Sequence, residues 1–211
     1  PDGTVTVIGS GTLGLVTISA LRCYFPDVKI LATARYPHQK SLALDLGADT
    51  VVAPNEIKRA VRRMTKSRAI SLSTKDGNVD RLTGGSDAVV DCVGSSESIT
   101  DALSVTRPRG KIVLVGMPSS VNLELTPLWH REIQLVGAYT YGTEKLADGN
   151  VTRTFDLAAG LVGSAKLERL LSAVYPLSRY QDALEHAASA GHRGAVKVAF
   201  DLRSEKERDL L

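Results

Sequence analysis

The apolar residues of the chain fall into short, nearly continuous runs, and segments with a helical period lie between them. Such runs are typical of parallel strands covered on both faces, and the periodic segments are typical of helices. Strands are predicted at 4–8, 28–33, 50–53, 87–92, 111–116 and 132–138, and helices at 12–25, 39–46, 55–67 and 96–105. The alternation predicts an α/β fold, with a doubly wound parallel sheet of six strands.

Several local signals set the expected ends and faces of these elements. Pro37 is placed to open the second helix and Gly47 to stop it, and Ser95 or Ser96 is suited to cap the fourth. The first helix is expected to bury one apolar face, formed by Leu13, Val16, Ile18, Leu21 and Phe25.

Two stretches lack a clear strand or helix pattern. Residues 68–86 show no clean period and are predicted to be a loop or short connectors, and Pro108, Arg109 and Gly110 are predicted to form a turn.

The pattern changes after about residue 140. Helices are predicted at 151–162 and 178–190, and strands at 170–175 and 195–200, but these strands do not obviously extend the main sheet. We therefore expect two parts, a nucleotide-binding domain at 1–140 and a C-terminal segment at 141–211.

The composition of the chain mainly excludes certain classes of protein and partner. The 211 residues are 43% hydrophobic and 23% charged, and the net charge of +3 with no basic stripe among aromatic residues disfavours nucleic acid as a partner. No apolar run approaches the length of a membrane span. Two distant cysteines, Cys23 and Cys92, fit a reducing, cytoplasmic location. Because the chain opens at Pro1 directly before a strand, we expect it to be part of a longer protein.

The sequence G-x-G-x-x-G follows the first strand and opens the first helix. Gly9 allows a tight turn, Gly11 lets a pyrophosphate approach the backbone, and Gly14 lets the helix pack close to the strand. The helix start favours an anion, so this context predicts a Rossmann dinucleotide site. A strand–helix turn without a ligand is the alternative.

The end of the second strand points to one dinucleotide over the other. An acidic residue usually lies about 20 residues after the glycines, where it binds the adenosine ribose. Here the position holds Ala34 followed by Arg35, which leaves room for a 2′-phosphate and supplies a donor for it. His38 and Lys40 would add positive charge, and Tyr36 would lie against the adenine. The pattern favours NADP over NAD, unless Arg35 is simply an exposed loop residue.

The other residues that could carry chemistry are expected to have structural or surface roles. The cations Lys58, Arg59, Arg62, Arg63 and Lys66 favour a solvated helix face over an anionic partner. Cys92 is expected to be a buried strand residue and not a nucleophile. His38, His130, His186 and His192 are scattered, so no catalytic residue and no metal site is predicted in this chain.

Five blocks together resemble the medium-chain, alcohol-dehydrogenase-like dehydrogenase/reductase family: VTVIGSGTLG, LALDLGADTVV, DCVGS, GKIVLVGM and REIQLVGAY. The resemblance implies that the pyrophosphate meets Gly9 to Gly14, that Leu13 lies near the nicotinamide, and that Lys197 lies near the phosphates or ribose. The candidate cofactor-binding residues are Gly9, Ser10, Gly11, Thr12, Leu13, Gly14, Thr33, Ala34, Arg35, Tyr36, Lys40, Cys92, Val93, Gly94, Val115, Gly116, Met117, Thr140 and Lys197.

Members of that family begin with a GroES-like catalytic domain, which carries the zinc ligands in the zinc-dependent branch. No counterpart is present in this sequence, so we expect zinc only in a separate part of the protein, and we expect this chain alone to be inactive. The resemblance also implies that the C-terminal segment returns to that catalytic domain.

The resemblance implies hydride transfer between NADP(H) and an alcohol, aldehyde or ketone. A zinc-independent quinone or enoyl reductase and a non-catalytic nucleotide-binding module are the alternatives. A Rossmann-type methyltransferase is disfavoured, because it would usually have an acidic residue for the ribose where this chain has Ala34. Residues 119–125 alternate in polarity, so they form either an edge strand of a homodimer or an ordinary surface hairpin.

Overall fold

The computed structural model describes residues 3–74, 77–146 and 148–203. In chain order the elements are β1 (Thr4–Ile8), α1 (Thr12–Tyr24), β2 (Lys29–Thr33), α2 (Pro37–Asp45), β3 (Thr50–Val52), α3 (Ile57–Thr65), β4 (Ala69–Thr74), β5 (Gly77–Leu82), β6 (Ser86–Asp91), α4 (Ser96–Val105), β7 (Thr106–Leu114), α5 (Thr126–His130), β8 (Gln134–Gly137), β9 (Thr143–Lys145), β10 (Val151–Arg153), α6 (Thr154–Val162), β11 (Leu171–Pro176), α7 (Tyr180–Ala188) and β12 (Lys197–Asp201). Short 3₁₀ turns precede α3, β11 and α7.

Six strands form one parallel sheet in the order β3-β2-β1-β6-β7-β8. The chain winds outward from β1 through β2 to β3, and then returns to the other side of β1 with β6. Val7 in β1 therefore pairs with Ala32 in β2 on one side and with Val90 in β6 on the other. The predicted six-stranded, doubly wound sheet is confirmed, and its reversal point lies between β1 and β6, where ligands bind in such folds.

Helices cover both faces of the sheet and bury two apolar clusters. On one face Leu15 and Ile18 of α1 pack with Ala43 of α2, and on the other Val61 of α3 packs with Leu103 of α4. Because β2 contributes to both clusters, its side chains from residue 30 to residue 33 are all buried. This two-sided burial explains the continuous apolar runs in the sequence.

The buried face of α1 differs from the predicted one. Gly14, Leu15, Ile18 and Ser19 are buried, whereas Leu13, Val16 and Phe25 are exposed. The close approach of α1 to β1 at Gly14 rotates the helix so that Leu15 enters the core.

Four local predictions need correction. Residues 68–86 contain the antiparallel hairpin β4–β5, and residues 108–110 lie within β7, where Arg109 adopts a φ of +59°. Residues 151–153 form β10, so the predicted helix begins only at Thr154. Residues 119–125 form no strand.

The C-terminal segment packs on the α1–α2 face of the sheet. Its strands β11 and β12 do not extend the main sheet, as expected, and they form a separate parallel pair. Leu170 enters the core cluster beside α1, the Ser19 hydroxyl donates to the carbonyl of Ala165 at 2.9 Å, and Arg169 pairs with Asp45 at 3.4 Å. Among the described residues, no helix combines the length and apolar character needed to cross a membrane.

Candidate functional site

A cleft of about 350 Å³ opens where β1, β2 and β6 end. Eight of the predicted residues line it, namely Gly9, Ser10, Gly11, Thr33, Arg35, Tyr36, Cys92 and Val93. It is also lined by residues that the sequence did not indicate, namely Ile8, Gln39, Pro54, Ser95, Glu97, Ser98 and Asp101. The cleft therefore lies at the reversal point of the sheet and continues along α4.

The glycine turn forms one wall of the cleft. Gly9 adopts a φ of +89°, and a Cβ on Gly14 would overlap the Gly9 carbonyl, so both positions require glycine. No atom lies within 4 Å of a Cβ built on Gly11, which leaves open space above the turn. The turn is fixed to β2, because Gly9 N donates to Thr33 Oγ1 at 2.9 Å and Ser10 Oγ donates to the Thr33 carbonyl at 2.8 Å.

The N-terminus of α1 meets this open space without a side-chain cap. Gly11 is the N-cap residue, and the first turn contains no acidic residue. The free backbone N–H groups and the helix dipole together favour an anion at this point. The chain's residues at the turn thus fit a phosphate-containing ligand.

The end of β2 places a cation in the lining of the same cleft. Ala34 is buried, and the next residue, Arg35, is exposed and lines the cleft beside Tyr36. Arg35 N donates to Gln39 Oε1 at 3.3 Å, which connects this end of β2 to α2. Lys40 lies on α2 outside the cleft lining. A guanidinium beside a small residue is suited to bind a phosphate.

A buried carboxylate shapes the third wall. Asp91, at the end of β6, is fully buried, and its Oδ1 accepts from Val93 N at 2.9 Å and Gly94 N at 3.2 Å. Its Oδ2 accepts from Ser98 Oγ at 2.9 Å, and Ser98 N donates to Ser95 Oγ at 3.1 Å. Ser95 is therefore the N-cap of α4, as one of the two predictions had it. These bonds hold Val93 at the cleft.

Cys92 follows Asp91 and is half-buried at the cleft. Burial raises the pKa of its thiol to about 11; the Thr17 hydroxyl nearby lowers the pKa, and the Asp91 charge raises it. The thiol is thus protonated at neutral pH, which fits the predicted structural role better than a nucleophilic one.

Two carboxylates on α4 give the far end of the cleft a negative character. Burial raises the pKa of Asp101, Lys58 opposes the rise, and Glu97 adds to it. The two residues lie four positions apart on α4, the helix that follows β6. That spacing is a signal that the sequence contained and that the prediction did not use.

Several predicted residues lie outside the cleft lining. Val115 N and Gly116 N both donate to the Asp91 carbonyl, at 2.9 and 2.8 Å, so the end of β7 is attached to the end of β6. Met117 is 84% exposed, and Thr140, with a φ of +51°, follows β8. The other residues outside the lining are Thr12, Leu13, Gly14, Ala34, Lys40, Gly94 and Lys197.

Lys197 nevertheless lies near the start of α1. It is exposed at the beginning of β12, and the carbonyl of its neighbour Val196 accepts a hydrogen bond from Thr12 Oγ1 at 3.2 Å. The C-terminal segment thus places Lys197 one residue from a contact with Thr12, the first residue of α1.

Metal-ligating residues are not clustered in the described part of the chain. No three His, Cys, Asp or Glu side chains among residues 3–74, 77–146 and 148–203 are arranged to hold a metal ion. Both Cys23 and Cys92 are free thiols. The described residues therefore do not fit a zinc site.

Comparison with known proteins agrees with the fold. Residues 12–153 match the family model described as zinc-binding dehydrogenase. An L-idonate 5-dehydrogenase of Vitis vinifera is 29% identical over 205 residues, which cover 96% of this chain and 50% of the relative. A sorbitol dehydrogenase of Arabidopsis thaliana is 27% identical over 206 residues, with the same coverage. The chain spans about half the length of the curated relatives that it matches.

Solved structures show the same architecture. Alcohol dehydrogenase TADH from Thermus sp. ATN1 superposes with a TM-score of 0.69 at 24% identity, over 96% of this chain and 52% of its own. A zinc-binding dehydrogenase from Sinorhizobium meliloti 1021 bound to NADP gives 0.67 at 21% identity, over 95% and 53%. A short chain alcohol dehydrogenase from Escherichia coli CFT073 complexed with NADH gives 0.68 at 17% identity, over 93% and 51%. The cofactor-domain resemblance seen in the sequence is confirmed, and the chain belongs to the zinc-binding dehydrogenase family.

Proposed function

We propose that this chain is the NADP(H)-binding part of an oxidoreductase that transfers hydride between the nicotinamide and an alcohol or carbonyl compound. The observation that carries the proposal is a single cleft that joins the uncapped start of α1 to Arg35 at the end of β2. One end is suited to a pyrophosphate and the other to a 2′-phosphate. Residues 1–140 would hold the cofactor, and residues 141–211 would pack beside it.

Different residues of the chain would bind different parts of the cofactor. The N–H groups at Gly11 and Thr12 would bind the pyrophosphate, and the open space above Gly11 admits it. Arg35 would bind the 2′-phosphate, because the buried Ala34 beside it carries no carboxylate to repel that group. When bound, the nicotinamide supplies or accepts the hydride. Val93, Val115, Met117 and Thr140 would orient it.

The curated relatives support a substrate class. The two relatives described above are named for L-idonate and sorbitol, both polyhydroxy compounds. We therefore propose that the hydride donor or acceptor is a secondary alcohol of a polyol or the corresponding ketone. The matched structures contain NADP in one case and NADH in another, so cofactor choice has to be measured on this chain.

Calorimetric titration of the chain with NADPH and NADH tests the proposal. NADPH is expected to bind more tightly, and Arg35→Ala should weaken NADPH binding by about tenfold or more while leaving NADH within about twofold, since one charge-assisted contact is lost. Arg59→Ala, which removes the same charge from the exposed face of α3, is the matched control and should change neither affinity.

A second variant separates the two ends of the cleft. Gly11→Val fills the open space above the turn and should weaken both cofactors equally, because both carry the pyrophosphate. Equal affinity of the unchanged chain for NADPH and NADH, or an equal loss of both on Arg35→Ala, would refute the choice of NADP(H). If neither cofactor bound to the folded chain, the proposed site itself would be wrong.

A further inference from the structure

The loop between α7 and β12 crosses the start of α2, next to the Arg35 end of the cleft. Ala195 N donates to the Ala190 carbonyl at 2.8 Å, and Val196 N donates to Ser172 Oγ at 2.8 Å. The Val196 carbonyl accepts from Thr12 on α1. The loop is therefore attached to both β11 and α1, so it presents its residues to α2 from a fixed position.

Gly191 in this loop lies directly against the ring of Tyr36. A Cβ on Gly191 would fall 2.6 Å from Tyr36 Cζ and 2.9 Å from its hydroxyl oxygen, both too close for the ring to stay in place. Gly191 is not among the residues with positive φ, so its backbone conformation does not require glycine. The three atoms nearest such a Cβ all belong to the Tyr36 side chain, so the missing side chain at Gly191 makes room for that ring.

Two histidines enclose the same ring. His192 packs edge-on to Tyr36 with ring centroids 5.5 Å apart, and His38 stacks on it at 5.7 Å with an interplanar angle of 20°. His38 Nε2 is buried and forms no hydrogen bond with any described residue. The remaining side of Tyr36 lines the cleft beside Arg35. The ring is therefore held in one place beside Arg35, the residue expected to bind the adenosine 2′-phosphate.

We propose that Gly191 and His192 are positioning residues that determine nucleotide specificity by fixing Tyr36 beside Arg35, so that the pair receives 2′-phosphorylated adenosine. The inference rests on the proposed NADP(H) function and assigns a part in it to the C-terminal segment. A ring fixed before binding loses little rotational freedom when the nucleotide arrives, which increases affinity.

Gly191→Ala tests this directly. The added methyl group displaces the Tyr36 ring toward Arg35, so NADPH affinity should fall about tenfold, while NADH, which lacks the 2′-phosphate, should stay within about twofold. Adenosine 2′,5′-bisphosphate and AMP serve as a second pair of probes, with the same expected contrast. Gly163→Ala is the matched control, since no atom lies within 4 Å of its Cβ and its φ is −70°.

A double variant shows whether the effect passes through the ring. In a Tyr36→Ala background there is no ring to displace, so adding Gly191→Ala should leave NADPH affinity unchanged. If Gly191→Ala instead weakened NADPH equally in both backgrounds, or had no effect on the NADPH/NADH ratio, the inference would be overturned.

A substitution at His192 tests the same inference without adding atoms next to the Tyr36 ring. His192→Ala should lower the NADPH/NADH affinity ratio about threefold by releasing the ring, and His192→Phe should restore it because the edge contact returns. A ratio that is unchanged in His192→Ala contradicts the inference even if Gly191→Ala fails to fold. The experiments distinguish this inference from the proposed NADP(H) function. If Arg35→Ala abolishes the NADPH preference but the Gly191 and His192 variants have no effect, the positioning role is refuted and the proposed function stands.

Discussion

Cys92 has a partly buried thiol and lines the cleft, so the rate at which this thiol reacts depends on both its burial and the occupancy of the cleft. Its thiol has a pKa of about 11, raised chiefly by burial, whereas Cys23 is exposed on α1. Because the thiolate is the reactive form, only about one Cys92 in a thousand is reactive at pH 8. Thiol–disulfide exchange with an aromatic disulfide reagent at pH 8, which forms a mixed disulfide and releases the reagent's thiolate, should therefore show one fast thiol and one slower by about two orders of magnitude.

The Cys23→Ser variant isolates the slow thiol. Its reaction rate should rise about tenfold per pH unit from pH 8 toward pH 10, because the folded-state pKa lies above that range. Saturating NADPH should slow it further, since Cys92 lines the proposed cofactor cleft. Fast modification of Cys92 at pH 7 would contradict the structure.

The glycine turn and the end of β2 were predictable from single residues, because their chemistry is local. Gly9 and Gly14 are needed for the turn itself, and Ala34 with Arg35 follows the strand directly. The opposing wall depends on tertiary packing. Glu97 and Asp101 reach the cleft only because Asp91 and Ser98 fix the direction in which α4 leaves the sheet.

The β4–β5 hairpin is one of the elements that the sequence prediction missed. Ile70 and Leu72 alternate with Ser71 and Ser73, which is the period of a half-buried strand, but the run is short and polar. Leu82 at the end of β5 belongs to the apolar cluster under α3 and α4. Of the hairpin side chains whose burial is described, Leu82 is the buried one, and periodicity over a longer window does not detect a single buried position.

Substitutions at the two ends of the hairpin test this account. Leu82→Ala removes a buried side chain and should lower the free energy of unfolding by about 3 kcal/mol. Ile70→Ala, at a side chain that is 50% exposed on β4, should cost about 1 kcal/mol or less. Urea unfolding followed by circular dichroism measures both, and equal losses would contradict the anchoring role of Leu82.

The predictability of the elements follows their burial. Each strand of the main sheet was found within a few residues because helices cover both faces and force continuous apolar runs. The ends of the strands were predicted less accurately. β7 includes Pro108 to Gly110, where Arg109 adopts a left-handed conformation within the strand. Arg109 N donates to the Arg131 carbonyl at 2.8 Å. The turn-forming sequence thus persists as an irregularity in the strand, because Thr106 pairs with Ser86 and Lys111 with Ala88.

At the scale of the whole molecule, one edge of the sheet is exposed and apolar. Among the strands that the structure describes, β8 pairs with β7 alone, and its Leu135 and Val136 are 39% and 45% exposed. Trp129 and Tyr139, which flank this strand, are exposed as well. Such an edge offers unpaired N–H and C=O groups and apolar area to a second copy.

We therefore expect the chain to self-associate through β8, and not through residues 119–125, which form no strand. Sedimentation velocity should show a concentration-dependent shift from monomer to dimer. Val136→Lys places a charge on the edge and should weaken association about tenfold or more. Val162→Lys, at an equally apolar and 60% exposed position on α6, is the matched control and should leave the dimer intact. A monomer at all concentrations, or dissociation by both variants alike, would show that β8 is not the interface.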